Sequence, residues 1–296
     1  MKRLVLDVGG SAIKYAVMDD ELRILEKGKL EGRRSDAGKF AEAILSLRKQ
    51  YPEAEGIAIS YCGEVDPGTG QIMSPGSYDF FENMNLKTFL EEKSGTTVWV
   101  ENDAICAALA EKRNGVLQKE KNAAVLIYGT GIGCALILDG RIYYGATFQA
   151  GVATLVSTSR KAFIPKFRLD DFLRFFNGKI LRKKDPKGID GFRFFRQVER
   201  KNPLALYRLK RFTRQAARFI VDLQLMLNLE AIAIGGGVSA QPRFIQEIQQ
   251  ALDQEWESYW VRITRVPKPE IKVASAGNDA NLIGALIHFQ DMERGH

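Results

Sequence analysis

Apolar residues cluster at Leu4–Val8, interrupted only by Asp7, stop at Gly9-Gly10 and resume from Ala12 to Val17. Two short β runs joined by a glycine pair predict a hairpin. Glu21–Lys27 predicts a third strand. Phe40, Ala43, Ile44 and Leu47 recur at helical spacing and predict a helix over Ala37–Gln50. Gly56–Ser60 is a short apolar strand, followed by a loop at Gly63 and a tight turn over Asp66–Gly70. Leu86–Lys93 predicts a short helix, Thr97–Glu101 a buried strand, and Asp103–Arg113 a helix stopped by Asn114-Gly115. These elements make one α/β unit over roughly residues 1–116.

The pattern then starts again. Ala123–Leu138 reads strand, Gly/hydroxyl turn, strand, and Asp139-Gly140 turns the chain into Arg141–Tyr144. Asn202–Asn228 predicts a long amphipathic helix. Ala231–Ile234 is a buried strand running into Gly235-Gly236-Gly237, with Ser239 or a neighbour expected to cap the next helix and Pro242 suited to its first turn. Ser275–His288 predicts a turn and a helix that packs back on the first unit. Two copies of one strand–turn–strand device suggest a duplicated fold, with the two glycine turns facing each other across a cleft.

Composition narrows the class. The chain has 296 residues, 45% of them hydrophobic, and no uninterrupted apolar run of membrane-spanning length. Its net charge of +7 suits either a nucleic-acid partner or an enzyme that binds anionic phosphates. The excess lies mainly around Arg160–Arg214, away from the N-terminal turn. Cys62, Cys106 and Cys134 are widely spaced, an odd set that predicts reduced core residues and a cytoplasmic protein. The chain opens directly on a strand, so no targeting segment is expected. With His288 and His296 its only histidines, a histidine-built metal site is excluded.

The glycine turns carry candidate chemistry. Without Cβ atoms, Gly9 and Gly10 let a phosphate approach backbone N–H groups, and Ser11 adds a hydroxyl. Asp7, at the strand end, is a candidate ligand for a metal ion or its water shell. Gly129, Gly131 and Gly133 repeat the device, with Thr130 supplying the hydroxyl. The flat turn at Gly236 and Gly237, beside a helix N-terminus, can seat an adenine, a ribose or a phosphate. Read singly, each turn is equally an ordinary tight hairpin beside a solvated carboxylate.

Taken together, Asp7–Lys14, Glu101–Ala104, Gly129–Gly133, Gly235–Ser239 and Gly277–Ala285 fall in the order seen in the ROK family of sugar kinases, which this chain resembles over nearly its whole length. The resemblance implies an α/β fold of two ribonuclease-H-like, actin-like ATPase domains around a central cleft. The first would comprise 1–116 plus 284–296, and the second 117–283 with a basic, aromatic insertion at about 156–202. It further implies ATP and Mg²⁺ as cofactors, a small-molecule sugar as substrate, and a homodimer. Carried over by position, Asp103 matches the general base, a role that suits a carboxylate near an incoming hydroxyl. Asp103 is equally placed to cap its helix. Asp7 would lie near Mg²⁺ and phosphate. Gly9, Gly10, Ser11, Lys14, Gly129, Thr130, Gly131, Gly133, Gly236 and Gly237 would line the nucleotide. Gly63, Asn102 and Gln149 would face the sugar, with the Asn102 amide able to donate to and accept from its hydroxyls.

The departures from the family pattern bear on substrate. Cys62 stands where proline is common. After Gly151 the family continues Glu-x-Gly-His, whose Glu and His bind sugar, and here the chain reads Val152-Ala-Thr-Leu155. The cysteine-rich zinc cluster that normally follows is missing from the sequence, so no zinc is expected. Phe175-Phe176-Asn177-Gly178 and Phe192–Arg196 instead interleave aromatic and cationic residues, as a rebuilt substrate wall, an anionic-ligand site or an amphipathic lobe would. Gln149, Arg160 and Lys161 are candidates to replace the lost sugar contacts. Three functions compete: an ATP-dependent kinase of a hexose, amino sugar or glucoside; a non-catalytic sugar or nucleotide sensor; and a DNA-binding regulator. Retention of Asn102-Asp103 favours the kinase over the sensor. The first turn begins within ten residues of the start, leaving no preceding helix-turn-helix, so no nucleic-acid partner is expected. No membrane partner is expected either.

Overall fold

In the computed structural model, which describes residues 1–10, 12–32, 34–128, 132–153, 191–258, 261 and 263–295, the N-terminal apolar runs pair as an antiparallel hairpin. Its strands are β1 (Lys2–Val8) and β2 (Ala12–Asp19). The predicted third strand starts later, as β3 (Ile24–Glu31). Asp19 Oδ1 accepts the Glu21 and Arg23 N–H groups at 3.1 and 2.9 Å, and Leu22 takes a left-handed φ of 65°. That turn uses up Glu21–Arg23, the first three residues read as strand, while Ile24–Lys27 do lie in β3.

Next come α1 (Ala37–Gln50), β4 (Ala54–Tyr61), a small hairpin of β5 (Glu64–Val65) and β6 (Ile72–Ser74) that the sequence did not signal, α2 (Leu86–Ser94), β7 (Thr97–Asn102) and α3 (Asp103–Arg113). The five-stranded sheet runs β3-β2-β1-β4-β7, with β1, β4 and β7 parallel. Burial on both faces explains the continuous apolar runs. Leu4, Leu6 and Val8 share one core with Ile57, Ile59, Val98 and Val100, into which α1 and α2 send Phe40, Ile44, Leu86 and Leu90. On the opposite face, Val5, Ala16 and Ala58 pack with Cys106 of α3 and with Leu282, Leu286 and Phe289. The last three belong to the C-terminal helix, α7 (Ala280–Glu293), which returns to this sheet as its sequence position suggested.

Helices α3 and α7 touch backbone to backbone. A Cβ built on Gly284 would stand 1.7 Å from the Cys106 carbonyl oxygen, so only glycine permits this approach. The unit thus defined contains Met1–Asn114, Ile142–Ala150 and Asn278–His296.

The second unit, Gly115–Arg141 with Gly151–Gly277, repeats the plan. Its sheet runs β10 (Arg141–Tyr143), β9 (Ile132–Leu138), β8 (Ala123–Tyr128), β11 (Ala231–Gly235), β12 (Glu270–Val273). Helices α4 (Gly191–Glu199), α5 (Pro203–Leu227) and α6 (Pro242–Trp256) contribute Phe194, Phe212, Ile220 and Phe244 to one core with Leu126, Ile232 and Ile234. Asn202 Oδ1 caps α5 by accepting the Leu204 and Ala205 N–H groups, and Pro203 occupies the first turn. Helix α6 starts differently from expectation. Pro242 is in its first turn, but Gln241 holds the cap position without a side-chain bond, while Ser239 Oγ donates to the Gly236 carbonyl at 2.8 Å. Among the described residues no helix is long and apolar enough to cross a membrane.

Candidate active site

Strand register places a polar row across the first sheet. Lys14 of β2 pairs with Asp7 of β1, Asp7 with Ser60 of β4, and Ser60 with Glu101 of β7. Two residues back along β1, β4 and β7, and two residues on along antiparallel β2, the same face carries Val5, Ala58, Trp99 and Ala16. The sheet face therefore changes from apolar to polar at the carboxyl ends of its parallel strands, where open α/β sheets bind ligands. Asp7 is 7% exposed, and both its oxygens are held: Oδ2 accepts Lys14 Nζ and Oδ1 accepts Asn281 Nδ2, each at 3.0 Å. The Lys14 side chain keeps 47% of its surface in solvent. The turn beside it is closed by Gly9 N–H donating to the Ala12 carbonyl, and the Tyr78 hydroxyl donates to the Gly9 carbonyl at 2.9 Å.

Asn102 and Asp103 sit where β7 becomes α3. Asn102 Oδ1 accepts the Ala104 and Ile105 N–H groups at 2.9 and 3.2 Å, which caps the helix, and its Nδ2 donates to the Gly63 carbonyl at 3.0 Å. The amide thus holds the Gly63 loop and the helix start, with one N–H left over. The Asp103 carboxylate accepts the Ala104 N–H at 2.8 Å. Burial, helped by the negative charge of Asp7, pushes its pKa up from 3.8 to about 7. A carboxyl held there is half ionised near neutral pH, as a base requires.

Glu101 is fully buried, and desolvation raises its pKa to about 8. Its Oε1 accepts the Asn102 N–H at 2.6 Å, and its Oε2 accepts the Tyr144 hydroxyl at 2.8 Å. His288 Nδ1 lies 3.6 Å from the same Oε2. Burial lowers the His288 pKa to about 4, so at neutral pH this contact is not an ion pair.

In the second unit, Gly236 has a φ of 90°, and a Cβ there would meet the Tyr128 carbonyl oxygen at 2.3 Å. Tyr128 is the last residue of β8, so the Gly236 turn lies against the end of that strand. Gly237 is exposed, with open space where a Cβ would stand. Gly133 lies within β9. Ser11, Gly129, Thr130 and Gly131 lie outside the described residues, as do Arg160, Lys161 and most of the basic segment. Gln149 is exposed on the loop between β10 and Gly151. Among the described residues no group of three or more His, Cys, Asp and Glu side chains is placed to hold a metal ion.

The profile of the ROK family matches residues 3–154 and 177–292. The chain belongs to the ROK family. The gap in the match falls inside the basic segment. The ROK chain is 31% identical to a β-glucoside kinase of Klebsiella pneumoniae over 99% of its own length and 98% of that protein's. It is 30% identical to a β-glucoside kinase of Listeria innocua, with both chains covered completely. A crystal structure of a ROK family protein from Streptococcus pneumoniae in complex with sucrose superposes with a TM-score of 0.86 at 26% identity, again over the whole of both chains. The ROK chain shares the two-domain actin-like fold of these structural neighbours.

Two residues of the candidate site carried no assigned role in the sequence reading: Glu101 and Asn281. Asn281 lies 274 positions from the aspartate it holds. A signal for Glu101 was present. Asp7, Ser60 and Glu101 each stand one residue before the end of their strand, two residues after Val5, Ala58 and Trp99.

Proposed function

We propose that this ROK-family phosphotransferase, which acts on an alcohol group of a sugar, uses Asp103 as general base in moving the γ-phosphoryl group of Mg-ATP to a β-glucoside hydroxyl. The observation that carries the reading is the state of Asp103. Its carboxyl sits at the end of a parallel strand and at a helix N-terminus, with a pKa near 7. A sugar hydroxyl attacking phosphorus must lose its proton, and Asp103 accepts it as the new P–O bond forms. Asn102 keeps that carboxylate in place by fixing the first turn of α3, and through Gly63 it fixes the facing loop.

The nucleotide's phosphates find suitable partners in the exposed backbone at Gly10 and the half-exposed Lys14 ammonium. Gly237 leaves its backbone open to a nucleoside. Magnesium suits Asp7. That carboxylate and Asp103 raise each other's energy as like charges, which a hard cation relieves, and Lys14 and Asn281 fix both Asp7 oxygens. When bound, the metal would neutralise charge on the phosphate oxygens.

The β-glucoside reading rests on two full-length relatives of that activity. Free hexoses and amino sugars are the competing acceptors. The test is ADP release from Mg-ATP against a panel of free sugars, amino sugars and β-glucosides, with Asp103→Asn alongside. Turnover greatest on β-glucosides and collapsing in the variant is expected. Turnover that survives Asp103→Asn would remove Asp103 from the role of base.

A further inference from the structure

The buried carboxyl of Glu101 has no part in proton transfer as described above, yet it is tied to the site on both sides. Its Oε1 holds the Asn102 backbone, and the Asn102 side chain in turn holds α3 and the Gly63 loop. Its Oε2 accepts the Tyr144 hydroxyl, and Tyr144 opens a loop that closes on itself: the Ala150 N–H donates to the Tyr144 carbonyl at 3.0 Å. Within that loop Phe148 adopts a left-handed φ of 57° and sets its ring edge-on to Tyr144, centroids 6.2 Å apart. A non-glycine residue held there is strained, and such strain persists only where the surroundings enforce it. The loop presents Gln149 to solvent and leads directly to Gly151-Val152.

We infer that Tyr144 and Glu101 are positioning residues, whose hydrogen bond fixes the Tyr144–Ala150 loop to the strand end bearing Asn102 and Asp103 and so sets where the acceptor sugar sits relative to the base. The inference deepens the kinase reading and rests on it. In a chain that reads Val152-Ala153 after Gly151, a loop anchored from beneath supplies acceptor geometry without a charged side chain at that position. The groups around Glu101 include the Tyr144 hydroxyl, the Asn102 N–H, the neutral His288 imidazole and the buried Cys106 thiol, with Glu64 and Asp66 acting at longer range.

Tyr144→Phe removes one hydroxyl and keeps the ring. Loss of a bond to a buried carboxyl predicts about a tenfold rise in KM for the acceptor sugar. KM for Mg-ATP is expected to stay unchanged, and backbone amides over 144–151 to exchange faster with solvent. Glu101→Gln, which keeps one acceptor oxygen, is expected to fall between the parent enzyme and Glu101→Leu. An acceptor KM unmoved by Tyr144→Phe, or acceptor and nucleotide KM rising together, overturns the inference while leaving the kinase reading intact. A parent enzyme that turns over no sugar overturns the kinase reading instead.

Discussion

Replacing Asp103 by Asn separates the site's function from its stability. Moving the carboxyl from 3.8 to about 7 makes its ionised form about 4 kcal/mol less favourable in the folded chain than in the unfolded one, at about 1.4 kcal/mol per pKa unit. Part of the side chain remains in contact with solvent, which screens the charge, so about 2 kcal/mol is the working figure. The folded pKa is the higher one. The stabilising contribution is therefore complete below pH 3.8 and is lost progressively until the pH passes about 7. Asparagine does not titrate. It gives up the attraction of a charge to the helix N-terminus, worth about 0.5–1 kcal/mol, and keeps an oxygen for the Ala104 N–H. The variant should thus gain about 1 kcal/mol over the parent at pH 8 and little or nothing at pH 5. The gain corresponds to a rise in Tm of about 2–4 °C. In the same variant kcat/KM should fall by about 10²–10⁴-fold. Parent kcat/KM for the acceptor should climb with pH and level off above about 7. Thermal melts at pH 5 and 8, with acceptor kinetics from pH 5.5 to 8.5, measure both. A variant equally destabilised at both pH values would refute the assignment of a strained carboxylate, and a flat parent pH profile would refute its use as the base.

Gly284→Ala puts a methyl group where the Cys106 carbonyl stands, so α3 and α7 must separate. The expected cost is about 1–3 kcal/mol, read as a lower Tm. Activity should fall as well, since the two helices carry Asp103 and Asn281 at their starts. Asn281→Ala frees one oxygen of Asp7. A several-fold rise in KM for Mg-ATP at unchanged acceptor KM is expected, checked by titrating each substrate at saturating levels of the other.

The strands of the first sheet were legible because burial on both faces leaves few polar interruptions, and three of those, Asp7, Ser60 and Glu101, line up in one row across the sheet. The start of β3 was not, since Asp19 bonds its own turn and overrides the strand propensity of the residues that follow. For the same reason the cap of α6 was misread: the Ser239 hydroxyl turns back to Gly236 rather than forward to the helix. The motif residues Asp7, Asn102 and Asp103 could be picked out singly, because each breaks an apolar run or opens a helix. Their partners could not. Ser60 and Glu101 join Asp7 in one row only when β1, β4 and β7 are in register, and register is a tertiary fact. The Tyr144–Glu101 bond likewise joins residues 43 positions apart whose elements belong to different stretches of sequence.

The sheet that carries Asp7 is covered on one face by Leu286 and Phe289, residues translated last among its core. At about 5–20 residues per second, roughly 15–60 s pass between synthesis of β1 and synthesis of the helix that shields it. For that interval Val5, Ala16 and Ala58 have no partner from α7, and Asp7 lacks Asn281. A nascent chain can pair its first strands, yet it cannot complete the hydrogen bonding around Asp7 until α7 is made. During synthesis the growing chain therefore offers a sticky apolar surface to holding chaperones, and one docking event both covers that surface and gives Asp7 its second partner.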